Sequence, residues 1–337
     1  MTPRLITIKA SHYCEKARWA LERAGIAYQE ECHPPGFHIL VARRTSGRRT
    51  VPVLVTDEGV LGDSSDILAW VDRRLPEGER LYPAAARADG GSAAAPADGG
   101  SAAAPADGGS AAARGDGSSA AAPADGGSAA VPADGGSAAA RGDGGSAAAR
   151  GDGSSAAAPA DGGSAAERAE VEALEERFDE ALGPHVRRWA YFHLLPRKDL
   201  VVPLAAEGVR SRGERLGLRL GYPLLAALMR RAMNITPEAS ARSVARVDEV
   251  WAEVEARLAG GPGGERRYLV GERFSAADLT FAALAAPAVC PPGYGGPLPA
   301  LEALPPPMRA EVEARRASPA GRFVLRLYRE ERIRPPS

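Results

Sequence analysis

Leu5-Ile6-Thr7-Ile8-Lys9-Ala10-Ser11-His12-Tyr13-Cys14, running on through Glu15 to Ala24, decides the fold: an apolar strand feeds a helix through a Ser-x-x-Cys turn. The spacing predicts a strand over Arg4–Lys9 and a helix over Tyr13–Gly25, with Tyr13, Ala17, Ala20, Leu21 and Ala24 on one face. The turn sets a hydroxyl and a thiol at a helix N-terminus. Unpaired backbone N–H groups and the positive end of the dipole there favour an anion, a thiolate included. Working outward, Tyr28–His33 reads as a strand and Phe37–Arg44 as helix-like. Val51–Thr56 reads as a strand, and the hairpin turn Asp57-Glu58-Gly59 leads to a short strand at Val60–Leu61. Gly62-Asp63-Ser64-Ser65 then opens a helix over Ser64–Leu75, with Ile67, Leu68, Val71 and Leu75 inward.

Residues 88–168 are nine tandem copies of a nine-residue unit of the form Ala-Asp-Gly-Gly-Ser-Ala-Ala-Ala-Pro, the last decaying into Glu167-Arg168. A calcium-binding β-helix of nine-residue repeats buries a large aliphatic side chain in every turn. Val131 alone exceeds alanine among the aliphatic residues here, so the tract is expected to be a disordered linker, with its Asp-Gly pairs in solvated turns. Nine aspartates against Arg114, Arg141 and Arg150 leave it at −6 and the rest of the chain at +5. The expected division is therefore an α/β domain over 1–83, a linker over 84–166 and an all-helical domain over 167–337. In the last part Glu167–Leu195 is amphipathic with a bend at Gly183-Pro184, and Thr236-Pro237-Glu238 starts a second helix. Ser275-Ala276-Ala277-Asp278 is a capping motif, which explains Asp278 better than a catalytic base does, and Ser318-Pro319 opens the last helix.

A net charge of −1 over 337 residues gives no argument for nucleic acid or an anionic membrane. Cys14, Cys32 and Cys290 are too few and too scattered for a disulfide framework or a zinc site. Met1-Thr2-Pro3-Arg4 runs straight into a strand without a secretory apolar stretch, and no segment reaches the ~20 apolar residues of a membrane span, the closest, Leu216–Met233, being broken by Arg219, Gly221, Pro223, Arg230 and Arg231. The expectation is a cytoplasmic chain with no metal, no nucleic acid and no membrane among its partners.

The Ser11 turn, Val51-Pro52 and Asp63-Ser64, in this order, resemble the glutathione transferase family with its thioredoxin-like N-terminal domain. The resemblance covers 4–83 and, more loosely, 167–330, but not the repeat tract; the family joins its two domains by a short segment. It implies a serine-type enzyme of detoxification, with glutathione as co-substrate and a homodimer as the usual assembly, that adds glutathione to a small apolar electrophile or performs a glutathione-dependent reduction or isomerisation. Ser11 matches the hydroxyl that stabilises the glutathione thiolate, a role compatible with capping the helix. Val51-Pro52 looks like the cis-proline turn whose preceding residue pairs its backbone with the cysteinyl unit. Asp63-Ser64 resembles the pair that holds the γ-glutamyl ammonium and carboxylate, though either residue could also serve only as a cap. Arg49 resembles the basic residue that meets the glycyl carboxylate, with Arg48 and His38 as rivals. Trp189, Tyr191, Phe192 and His193 fall on the helix that usually walls the electrophile pocket, and Tyr191 is the residue assigned to it.

Cys14 occupies the second position of a Cys-x-x-Cys pair whose first position is Ser11, which rules out a two-thiol cycle within the turn. A buried thiol is the expectation, and Tyr13 is read as packing. Two readings compete with the transferase: a non-catalytic glutathione- or ligand-binding or protein-docking module, and a thiol oxidoreductase using Cys14.

Overall fold

Leu5 and Ile6 are neighbours in β1 (Arg4–Thr7), and because strand side chains alternate they enter two different cores. The computed structural model describes residues 1–83, 161–261 and 266–332. Its sheet runs in the order β2 (Gln29–Cys32), β1, β3 (Val53–Thr56), β4 (Gly59–Leu61). β1 lies parallel to β2 and antiparallel to β3, and β3 and β4 form the expected hairpin. Leu5 faces Leu54 in register, and both pack under α1 (His12–Arg23) and α3 (Ser64–Asp72). On the other face Ile6 and Val53 meet Ala42 of α2 (His38–Ser46). This is the thioredoxin-like arrangement expected.

From Asp161 on, the regular elements among the described residues are helices: α4 (Asp161–Ala181), α5 (Gly183–Leu194), α6 (Lys198–Ala206), α7 (Arg212–Ala232), α8 (Pro237–Ala259), α9 (Ala276–Val289), α10 (Pro306–Ala317) and α11 (Pro319–Glu330). Of the segment assigned to the linker, 84–160 lies outside the described residues, and 161–166 corrects the boundary because α4 already starts at Asp161. A helix anchored by Val171 and Leu174 extends backward through Ala165 and Ala166, the residue type that favours helix most. The bend at Gly183-Pro184 is a break between α4 and α5, at a glycine where any side chain would overlap the Tyr13 hydroxyl. Ser275 and Asp278 form a reciprocal capping box, and Thr236 and Ser318 cap α8 and α11.

α9 is apolar all round and buried, as a central helix must be, and its alanines let α1 lie along it. α1 is consequently covered on the side a single domain would leave wet. Glu15, Lys16 and Arg18 are fully buried, each with a partner. Lys16 Nζ meets Glu175 at 2.8 Å and Asp179 at 2.6 Å, both on α4. Arg18 Nε donates to Glu30 at 2.7 Å, and Arg332, just past α11, reaches back to Glu15 at 2.9 Å and to Glu22. One apolar cluster therefore runs from the sheet through α1 into α9 and α11.

Candidate functional site

Ser11 adopts an extended backbone (φ −75°, ψ 128°) and caps α1, its Oγ accepting from the Cys14 N–H at 3.4 Å. A hydroxyl that accepts in that contact still carries a proton to donate, and the Cys14 thiol is one group within its reach. Asp63 caps α3 in the same way, accepting from the Ser65 N–H at 2.9 Å, and Ser64 is buried as the first helical residue. The Val51–Pro52 peptide bond is cis and leads into β3.

These elements converge on a cleft of about 310 Å³ lined by Val51, Pro52, Asp63 and Ser64, with Tyr13 and Asp179 opposite and Arg187 at its edge. A second, smaller hollow of about 120 Å³ is mostly apolar, and Ser11, His12, Tyr191, Val201 and Leu204 line it. Arg187 lines both. The sequence reading brought Ser11, Val51, Pro52, Asp63, Ser64 and Tyr191 forward, and the fold sets each of them in the lining of one of these two spaces. Arg49 is exposed and outside both, whereas its rival Arg48 lies 3.5 Å from Asp63. Of the aromatic run on α5 only Tyr191 faces the hollow; Trp189 is buried and donates its indole N–H to Glu311 at 2.8 Å.

Electrostatics separate the hydroxyls and the thiol. Burial, with the Asp179 carboxylate next, holds the Tyr13 phenol well above the usual tyrosine range, and the hydroxyl donates to the Asp179 carbonyl at 2.9 Å. Tyr13 thus lines the cleft as a fixed neutral wall. Cys14 is fully buried, and burial pushes its thiol up to about 11 despite Arg18 and Ser11. A thiol held in that range is almost entirely protonated near neutrality, the opposite of what a nucleophilic cysteine needs. Burial also raises Asp179, which Lys16 and a hydrogen bond from Ser65 Oγ at 2.9 Å hold in place.

His12 and Arg187 carry roles that the sequence reading missed. Burial, with Arg187 next, takes the His12 imidazole down to about 3, and its Nε2 has no hydrogen-bond partner. A neutral ring in the wall of the apolar hollow therefore presents an acceptor. Arg187 has a buried, unpartnered Nε and places its guanidinium 6.0 Å from the Tyr13 ring centroid. The available signal was its place one turn ahead of Tyr191, which puts both on one face of α5.

Models of the glutathione S-transferase N-terminal and C-terminal domains match residues 5–79 and 237–305. The chain belongs to the glutathione transferase family. Among solved structures it is similar to the glutathione S-transferase CsGST63524 of Ceriporiopsis subvermispora in complex with glutathione, at 13% identity over 100% of both chains with a TM-score of 0.50. It is also similar to the beta-etherase LigF from Sphingobium sp. strain SYK-6, at 18% identity over 97% of this chain and 99% of that one, TM-score 0.46. At 13% identity the likeness to the Ceriporiopsis subvermispora structure is one of fold. A search of curated proteins found no match.

Proposed function

We propose that this chain binds glutathione in the cleft and transfers its thiolate to a small apolar electrophile held in the adjoining hollow. The observation that carries the reading is that Arg187 lines both spaces, with Ser11 at the α1 N-terminus in the wall of the hollow and Val51, Asp63 and Ser64 in the wall of the cleft. In the proposed pose, Asp63 and Ser64 take the γ-glutamyl ammonium and carboxylate, and the Val51 backbone takes the cysteinyl unit. The sulfur then points toward Ser11. A hydrogen bond and positive potential at the sulfur favour the thiolate near neutral pH, and donors fixed by the fold need no reorganisation as the reaction proceeds. The sulfur lone pair forms the S–C bond. In a substitution the electron pair of the breaking bond leaves with the departing group, which takes up a proton; in an addition it passes to the acceptor atom.

The oxidoreductase alternative needs an ionisable Cys14 facing the cleft. Its full burial, its raised thiol pKa and its place outside both spaces argue against that. A calorimetric glutathione titration beside a panel of aromatic halides, activated alkenes, aryl ethers and disulfides tests the proposal. Saturable binding with turnover of at least one electrophile is expected. Binding without any turnover would favour the non-catalytic module, and absence of binding would refute the assignment of the cleft.

A further inference from the structure

α7 turns Leu218, Tyr222 and Ala226 inward against α6, where the Tyr222 hydroxyl donates to the Leu195 carbonyl at 2.8 Å. On its outer side Leu216, Leu220, Leu224 and Leu228 are 57%, 74%, 76% and 61% exposed. Four large aliphatic side chains in solvent on a helix already anchored by its other face call for an occupant. Phe37, at the start of α2, lies over Gly217 and extends the same patch.

The spacing and the charge restrict what that occupant can be. A strict four-residue repeat drifts about 40° per step, so the leucines fan over about 120° across about 18 Å of helix. That is a broad face, unlike the narrow a/d seam of a coiled coil. Arg212, Arg215, Arg219, Arg230 and Arg231 stand against Glu214 alone, giving the helix a net charge of +4. Glu214 itself is engaged with His33 at 3.0 Å. A second copy of the chain would supply leucines but set arginine against arginine across a twofold axis. The repeat tract, at −6, would supply charge but only Val131 as an aliphatic side chain larger than alanine. A bilayer surface with anionic headgroups supplies both. Among the described residues no helix is long and apolar enough to cross a membrane, so the geometry left is a helix lying in the interface.

We infer that the leucine face of α7 docks the protein on anionic lipid surfaces, as a peripheral contact distinct from the glutathione cleft. The test is flotation of the full chain with vesicles of phosphatidylcholine alone or mixed with phosphatidylglycerol, at low and high salt. Partition into the anionic vesicles is expected, falling with salt, and it should be far weaker on phosphatidylcholine. Leu220→Ser/Leu224→Ser should lower partition at least about ten-fold, with an unchanged circular dichroism spectrum. Arg219→Gln/Arg230→Gln should lower it by roughly five-fold per arginine and flatten the salt dependence. Absence of partition, or partition indifferent to the leucine pair, overturns the inference. So does a wild-type dimer, seen by sedimentation, that the leucine variant splits, since the face would then belong to a second copy. Partition that appears only after removal of residues 88–158 overturns it as well and assigns the face to the repeat tract.

Discussion

Acidification should reveal the closed environment of His12 as a loss of stability. The imidazole is buried and held down to about 3, against an ordinary value of 6.5 that the unfolded chain regains. Between those values the unfolded chain binds a proton that the folded chain refuses, so stability falls as pH drops, by about 1.4 kcal/mol per unit. At pH 5 the loss from this residue is about 2 kcal/mol. Asp278 acts in the opposite sense. Burial raises its carboxyl to about 6, so the folded chain takes up that proton first and gains stability as pH falls from about 6 toward the ordinary carboxylate range. Comparing wild type with His12→Gln, which keeps an amide donor near the Gly183 carbonyl, isolates the first effect. Urea midpoints at pH 7 and pH 5 should show the variant losing about 2 kcal/mol less than wild type over that interval. Equal losses in the two proteins would refute the reasoning and mean that the imidazole titrates as freely folded as unfolded.

Lys16→Met leaves the Glu175 and Asp179 carboxylates facing each other without their cation, and thermal or urea unfolding should show a loss of roughly 3–5 kcal/mol. A loss under about 1 kcal/mol would mean that water reaches the pair. Asp63→Ala and Ser64→Ala should each weaken glutathione binding in calorimetry with the fold intact, Asp63→Ala at a further cost of about 1 kcal/mol for the lost cap. Wild-type affinity in both would reduce the pair to a helix start. Ser11→Ala should raise the apparent pKa of bound glutathione and slow turnover at neutral pH by roughly ten- to a thousand-fold, whereas Cys14→Ser should change it little. The reverse pattern in pH–rate profiles would transfer the chemistry to the thiol. Removing residues 88–158 should leave helical content and glutathione binding unchanged, because the repeats offer a core no aliphatic side chain larger than alanine except Val131. Insoluble product would overturn that expectation.

The parts of the fold legible from sequence were those set by local chemistry. Ser11 and Asp63 announce their helices because short polar side chains satisfy open N–H groups within a few residues. Alternation in β1 and β3 gives the sheet its two faces for the same reason of proximity. What stayed hidden depends on distant partners. Nothing within α1 hints that its charged Glu15, Lys16 and Arg18 will be covered by α4, α9 and Arg332. Arg187 meets the cleft only once α5 crosses the N-terminal domain. α7 was obscured by its arginines and Pro223, which look like interruptions of an apolar run although they fall on the outer side of a helix.

The shared core also sets a timetable for synthesis. Trp19 stacks on Phe274 and meets Tyr328 at a tilt, and Lys16 finds its acids on α4, so α1 has no outer cover until the helical half exists. About 190 residues separate Pro83 from the start of α9. At roughly 5–20 residues per second the N-terminal half therefore waits roughly 10–40 s on the ribosome with that surface open. Roughly two fifths of the delay is the tract itself, so the number of repeats sets part of the interval during which that surface stays open.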